Sequence, residues 1–123
     1  MEFSQPKGIY QQIADRIRDR ILDGEWSNGD RIPSIREFAV SVGVNPNTVT
    51  KSYQALTERR IIENQRGVGY FVVADAKQKI LDELRTEFMR DELPRVVRTM
   101  RLLNIGIDEL AEHFANGAGG EGS

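Results

Sequence analysis

Isoleucine recurs at Ile9, Ile13, Ile17 and Ile21, with Leu22 beside the last, and this spacing of about four places them on one side of a helix that Gly24 ends. Arg16, Arg18 and Asp19 fall off that stripe. The following "WSNGDRIP" has no period and predicts a loop, with Trp26 as a lid on the core. "SIRE" at residues 34–37 then has capping-box order: the Ser34 hydroxyl can accept from the Glu37 N–H while the Glu37 carboxylate accepts from the Ser34 N–H. Ile35, Phe38, Ala39 and Val42 give the helix beginning there an apolar stripe, and Gly43 can close it in the left-handed conformation.

A second helix opens almost at once. Asn45 is placed to cap it, and Pro46 takes the first helical position, where its missing N–H costs nothing. Val49, Tyr53 and Leu56 recur at i, i+4 and i+7 and must face the core, which turns Asn47, Thr50, Lys51 and Gln54 outward. Ser52 ends the short polar and cationic run of Thr50 and Lys51. Two helices joined by so short a glycine-containing turn predict a helix-turn-helix. "IIENQRGVGYFVV" next predicts a β-hairpin, with a start at Ile61 and Ile62, a tip from Gln65 to Gly69, and a return strand "YFVV". The predicted fold class is therefore mainly α with a small β-hairpin, a winged helix-turn-helix domain over residues 1–75.

Beyond Asp75 the period is helical again, with Ile80, Leu84 and Phe88 on one side and Leu81 beside them. Pro94 predicts a kink or restart, after which Leu93, Val96, Val97, Met100 and Leu103 define another stripe. "NIGI" is a break, and "DELAEHFAN" predicts a last short helix with Leu110, Ala111 and Phe114 inward. A helical arm over 76–115 cannot bury its stripe by itself; it needs either the winged domain or a second copy of the chain. "NGAGGEGS", residues 116–123, has no core-forming residue and predicts a flexible tail.

Charge changes the picture by its distribution. The chain carries 17 Lys and Arg against 19 Asp and Glu, so a polyanionic partner must be met by a local patch. Residues 31–72 supply one: Arg31, Arg36, Lys51, Arg59, Arg60 and Arg66 face only Glu37, Glu58 and Glu63, a net of +3, whereas residues 76–123 carry a net of −2. The absence of cysteine excludes disulfides and thiolate metal sites and fits a reducing cytoplasm. No apolar run approaches the ~20 residues of a membrane helix, and the N-terminus lacks a signal-peptide core, so a soluble cytoplasmic protein is expected.

The chemistry these positions support is nucleic-acid recognition. Asn47, Thr48 and Thr50 at the start of the second helix can reach base edges or phosphates, and Lys51 adds a phosphate contact. The N–H groups and partial positive charge of that helix start favour a phosphate as well. Asn45 is first a cap, with any DNA contact secondary. Arg36 lies in the first turn of the preceding helix, next to Ser34, and both join the candidate DNA-binding set. At the hairpin tip Arg66 beside Gly67 could enter a minor groove, because glycine lets the backbone approach closely. Enzyme signals are weak: His113 is the only histidine, "GVGY" lacks the helix and lysine of a phosphate-binding loop, and the paired carboxylates from Asp82 to Glu109 read as solvated helix charges. No catalytic, metal or cofactor residue is assigned.

Residues 9–72, "IYQQIADRIRDRILDGEWSNGDRIPSIREFAVSVGVNPNTVTKSYQALTERRIIENQRGVGYFV", resemble the bacterial GntR family of transcription regulators, and "KILDELRTEFMRDELPRVVRTMRLLNIGIDELAEHF" is similar to the dimerisation arm of its small YtrA-type subgroup. The resemblance implies a homodimer on a two-fold symmetric operator of double-stranded DNA, with repression as the expected output. It places the family's DNA-contacting arginine on Arg36, its recognition-helix contacts on Pro46, Asn47, Thr48 and Thr50, and its wing glycine on Gly67. Where some members carry arginine the chain has Asn45 and Val49, and where fatty-acid-type members do it has Pro46 and Thr50, so base preference does not transfer. It also lacks the glycine often found near Arg60. A small-molecule effector at the dimer interface is compatible with the sequence, which identifies no ligand. The alternative reading is a winged-helix protein-interaction module without specific DNA binding.

Overall fold

The structure, a computed structural model, describes residues 8–121. Two compact units divide it between Asp82 and Glu83, so the division falls inside a helix and beyond the expected boundary at Asp75. In the first unit α1 (Ile9–Leu22) is followed by β1 (Arg31–Ile32), α2 (Ile35–Val42), α3 (Pro46–Glu58), β2 (Ile62–Gln65) and β3 (Gly69–Val72), and α4 (Ala76–Glu87) begins there. The three strands form an antiparallel sheet in the order β1-β3-β2.

The core is the set of stripes read from the sequence. Ile13, Ile17 and Ile21 of α1, Phe38 and Ala39 of α2, and Val49, Tyr53 and Leu56 of α3 are buried, together with Ile61, Ile62 and Val72 of the hairpin. Both α1 and α2 pack on α3, which makes α3 the central helix of the unit. Trp26 covers the core edge-on to Phe38, with ring centroids 6.3 Å apart, and the Arg20 guanidinium lies 5.3 Å from the Trp26 ring centre and 5.5 Å from that of Phe38. Ala76 and Ile80 are also fully buried, which explains why the first unit extends past Asp75.

Within the first unit, four residues or stretches differ from the sequence reading. "WSNGDRIP" is not all loop: Arg31 and Ile32 pair with Phe71 and Tyr70, a strand too short to show a period of two. Ile9, at the first turn of α1, is 52% exposed because the stripe reaches past the end of the core. Ser52 does not extend the outward polar face; it is fully buried between α3 and α1. Arg60 takes the missing glycine's place in the left-handed conformation, at φ 62°, and closes α3.

In the second unit the helical path continues through one π turn (Phe88–Glu92) into α5 (Leu93–Leu102), and α6 spans Ile107–Glu121. The Leu93 N–H donates to the Phe88 carbonyl, the i to i−5 pattern. This wide turn stands directly before Pro94, where a regular helix would drive the proline ring against a carbonyl one turn back. Pro94 thus stands in the first turn of α5, where the sequence places a kink or restart. The α6 helix runs through much of the segment expected to be a flexible tail: no proline interrupts "NGAGGE", and each added residue gains a hydrogen bond once the helix has nucleated. Residues 122 and 123 of that expectation lie outside the described residues.

Candidate nucleic-acid interface

The course of α3 is set by local chemistry at its start. Asn45 Oδ1 accepts the Asn47 N–H at 2.8 Å, and Pro46 occupies the first turn. Gly43, at φ 69°, ends α2 in the left-handed conformation, which turns the chain into α3 within two residues. The reciprocal cap of α2 is complete, with Ser34 N–H to Glu37 Oε1 at 2.9 Å and Glu37 N–H to Ser34 Oγ at 3.1 Å. Those bonds to Ser34 hold the Glu37 carboxyl below the ordinary carboxylate range, with a smaller contribution from the nearby Arg31 charge.

Tertiary bonds fix the helix from behind. The Ser52 hydroxyl donates to the Tyr10 carbonyl at 2.7 Å, and the Tyr53 hydroxyl donates to the Pro33 carbonyl at 2.7 Å. Tyr53 also stacks edge-on to Tyr70 of the wing, with centroids 4.9 Å apart. Burial pushes the Tyr53 phenol far above its usual range, so it remains a neutral donor.

With the apolar side held in this way, Asn45, Pro46, Asn47 and Lys51 are exposed and Thr48 and Thr50 are half-buried on the outer side of α3. The Thr50 hydroxyl donates to the Pro46 carbonyl at 3.0 Å, which leaves its oxygen available as an acceptor. Arg36 is exposed on α2. At the wing tip the Val68 N–H donates to the Gln65 carbonyl across Arg66 and Gly67, and Gly67 has φ 79°, the positive value a type II turn needs at that place. Arg36, Lys51 and Arg66 have no hydrogen bond or ion pair to protein among the described residues. Arg31, Ser34, Arg36, Glu37 and Val40 line one open groove. No sequence pattern marks Arg31 or Val40 individually: Arg31 sits in an aperiodic stretch, and Val40 is an ordinary helix position.

Among the described residues no set of three His, Cys, Asp or Glu could hold a metal ion, and no helix is long and apolar enough to cross a membrane.

A helix-turn-helix with a three-stranded wing and a cationic outer side defines the winged-helix class. The gntR family of bacterial regulatory proteins matches residues 9–72, and the chain belongs to that family of DNA-binding transcriptional regulators. It is 38% identical over 111 residues to an uncharacterized HTH-type transcriptional regulator of Bacillus subtilis, YhcF, covering 90% of each chain. Over 104 residues it is 32% identical to the HTH-type transcriptional repressor YtrA of the same organism, covering 85% of this chain and 79% of the relative. The crystal structure of a GntR-family transcriptional regulator from Bacteroides thetaiotaomicron superposes with a TM-score of 0.81 at 38% identity, over 93% of this chain and 99% of that one.

Proposed function

We propose that the chain acts as a homodimer that binds an inverted-repeat operator and represses transcription by occupying a promoter. Residues 1–75 form the DNA-binding part in this reading and 76–115 the dimerisation arm. Asn47, Thr48 and Thr50 read the major groove, Asn45 and Pro46 set the helix start against the backbone, Ser34, Arg36 and Lys51 hold the register, and Arg66 with Gly67 extends contact through the wing. A two-fold dimer would offer two such helices to successive major grooves, ~34 Å apart.

The observation that carries the proposal is the uncovered apolar surface of the arm. Leu102 is 82% exposed and Phe114 77%, and Val96, Leu103 and Ile107 are exposed as well. Such a run on a short helical segment calls for a partner surface. A second copy supplies one of matching charge: Leu93, Pro94 and Val97 form a groove with Arg98 and Arg101, while α6 carries Asp108, Glu109 and Glu112. Repression is supported by the likeness to the repressor YtrA.

Selection of bound duplexes from a random DNA pool, with sedimentation of the free protein, tests this reading. An enriched inverted repeat, a steep loss of affinity with salt and a dimeric mass are expected. A monomer at micromolar concentration, or binding to a single half-site only, would overturn it.

A further inference from the structure

We propose that Arg31 is an additional contact to the DNA backbone phosphates, aimed by a seat that Gly69 of the wing provides; this rests on the DNA-binding reading above. Strand pairing sets its direction. Arg31 pairs with Phe71 and Ile32 with Tyr70, and Ile32 is buried, so the alternation of a strand sends Arg31 to the opposite, outer side. There its side chain crosses the bare Cα of Gly69. A Cβ at Gly69 would stand 2.8 Å from Arg31 Nε and 3.3 Å from both Cζ and Nη2, so a side chain at residue 69 would push the guanidinium out of this position. Gly69 also has φ 146°, a backbone conformation L side chains rarely adopt.

The seated guanidinium opens onto the groove it shares with Ser34, Arg36, Glu37 and Val40. Glu37 is the one acidic group lining it, and its carboxylate already accepts the Ser34 N–H. Two guanidinium groups, one from β1 and one from α2, thus line a single exposed channel. Gly69 pairs with Gln65 directly below the hairpin tip, so Arg31 stands at the root of the wing while Arg66 stands at its end. A duplex backbone running between the wing and the first turn of α2 is the occupant this charge pattern fits, since a guanidinium fork matches phosphate oxygens.

The test uses the whole 123-residue chain with two probes, the duplex recovered from the random pool and a scrambled duplex of equal length. Arg31→Ala is expected to weaken binding to both by a similar factor, about tenfold, and to reduce the salt slope by about one. Gly69→Ala is expected to weaken binding when Arg31 is present and to add nothing in the Arg31→Ala background, with thermal melting confirming that each variant folds. Unchanged affinity and slope for Arg31→Ala would overturn the contact; an equal loss from Gly69→Ala with and without Arg31 would overturn the seat. If Gly69→Ala does not fold, Arg31→Lys carries the second arm: retained slope with reduced affinity is expected, and affinity equal to the unaltered chain overturns the seat. No binding of either duplex by the unaltered chain overturns the DNA-binding reading and this proposal with it.

Discussion

Ser52 and Tyr10 are 42 residues apart, and the Ser52 hydroxyl reaches the Tyr10 carbonyl at 2.7 Å, joining α3 to the first turn of α1. The same oxygen lies 3.1 Å from the Thr48 carbonyl one turn back. Ser52→Ala keeps the Cβ and removes only this hydroxyl. Its expected cost is about 1 kcal/mol of stability, and Ser52→Leu, which overpacks a fully buried site, should cost more, about 1–3 kcal/mol. Urea denaturation of the two variants checks the order; equal stabilities would contradict the packing described.

The cap of α2 predicts an acid-sensitive step. Glu37 has its carboxyl held below the ordinary range by Ser34, so its contribution is fully present above the unfolded value, about 4.3, and is lost as pH falls through the lower folded value. Melting temperature against pH should therefore fall less steeply below pH ~4.3 in Glu37→Ala than in the unaltered chain. Parallel acid limbs would remove Glu37 from the explanation.

Arg60 sits at φ 62°, a conformation that costs an L residue about 1–2 kcal/mol, while glycine brings an entropic cost of about 0.5–1 kcal/mol. The Lys79 ammonium donates to the Arg60 carbonyl at 3.2 Å, a backbone contact that glycine preserves. Arg60→Gly is accordingly expected to stabilise the protein by up to about 1 kcal/mol. A lower denaturation midpoint for the variant would show that the arginine side chain contributes more than the strain costs.

The dimer proposal predicts that charge on the arm separates the copies. Leu103→Glu with Phe114→Glu alters two exposed positions, so the fold should survive while the sedimentation mass halves and operator affinity falls by about 100-fold or more through loss of the second half-site. A dimer retained in the double variant would move the interface elsewhere.

Contacts to phosphates and contacts to bases should separate in their sequence dependence. Arg36→Ala is expected to weaken all duplexes and lower the salt slope by about one, whereas Asn47→Ala or Thr50→Ala should change which duplexes win selection. With its hydroxyl hydrogen committed to Pro46, Thr50 is expected to favour a base that offers an amino group.

Patterned positions determined most of this protein from sequence alone. The stripes at Ile13, Ile17 and Ile21 and at Val49, Tyr53 and Leu56, the Ser34 to Glu37 cap, Asn45 before Pro46, and Gly43 at positive φ are local matters of period, capping and backbone sterics, and each is legible within a turn or two of chain. The tertiary structure decided what depends on distant partners. Ser52 looks solvated until α1 brings the Tyr10 carbonyl to it; Arg31 looks like loop until β3 pairs with it; and its guanidinium passes over Gly69 only because that strand lies beside it. Those are long-range juxtapositions of single groups, which carry no period for a sequence to display.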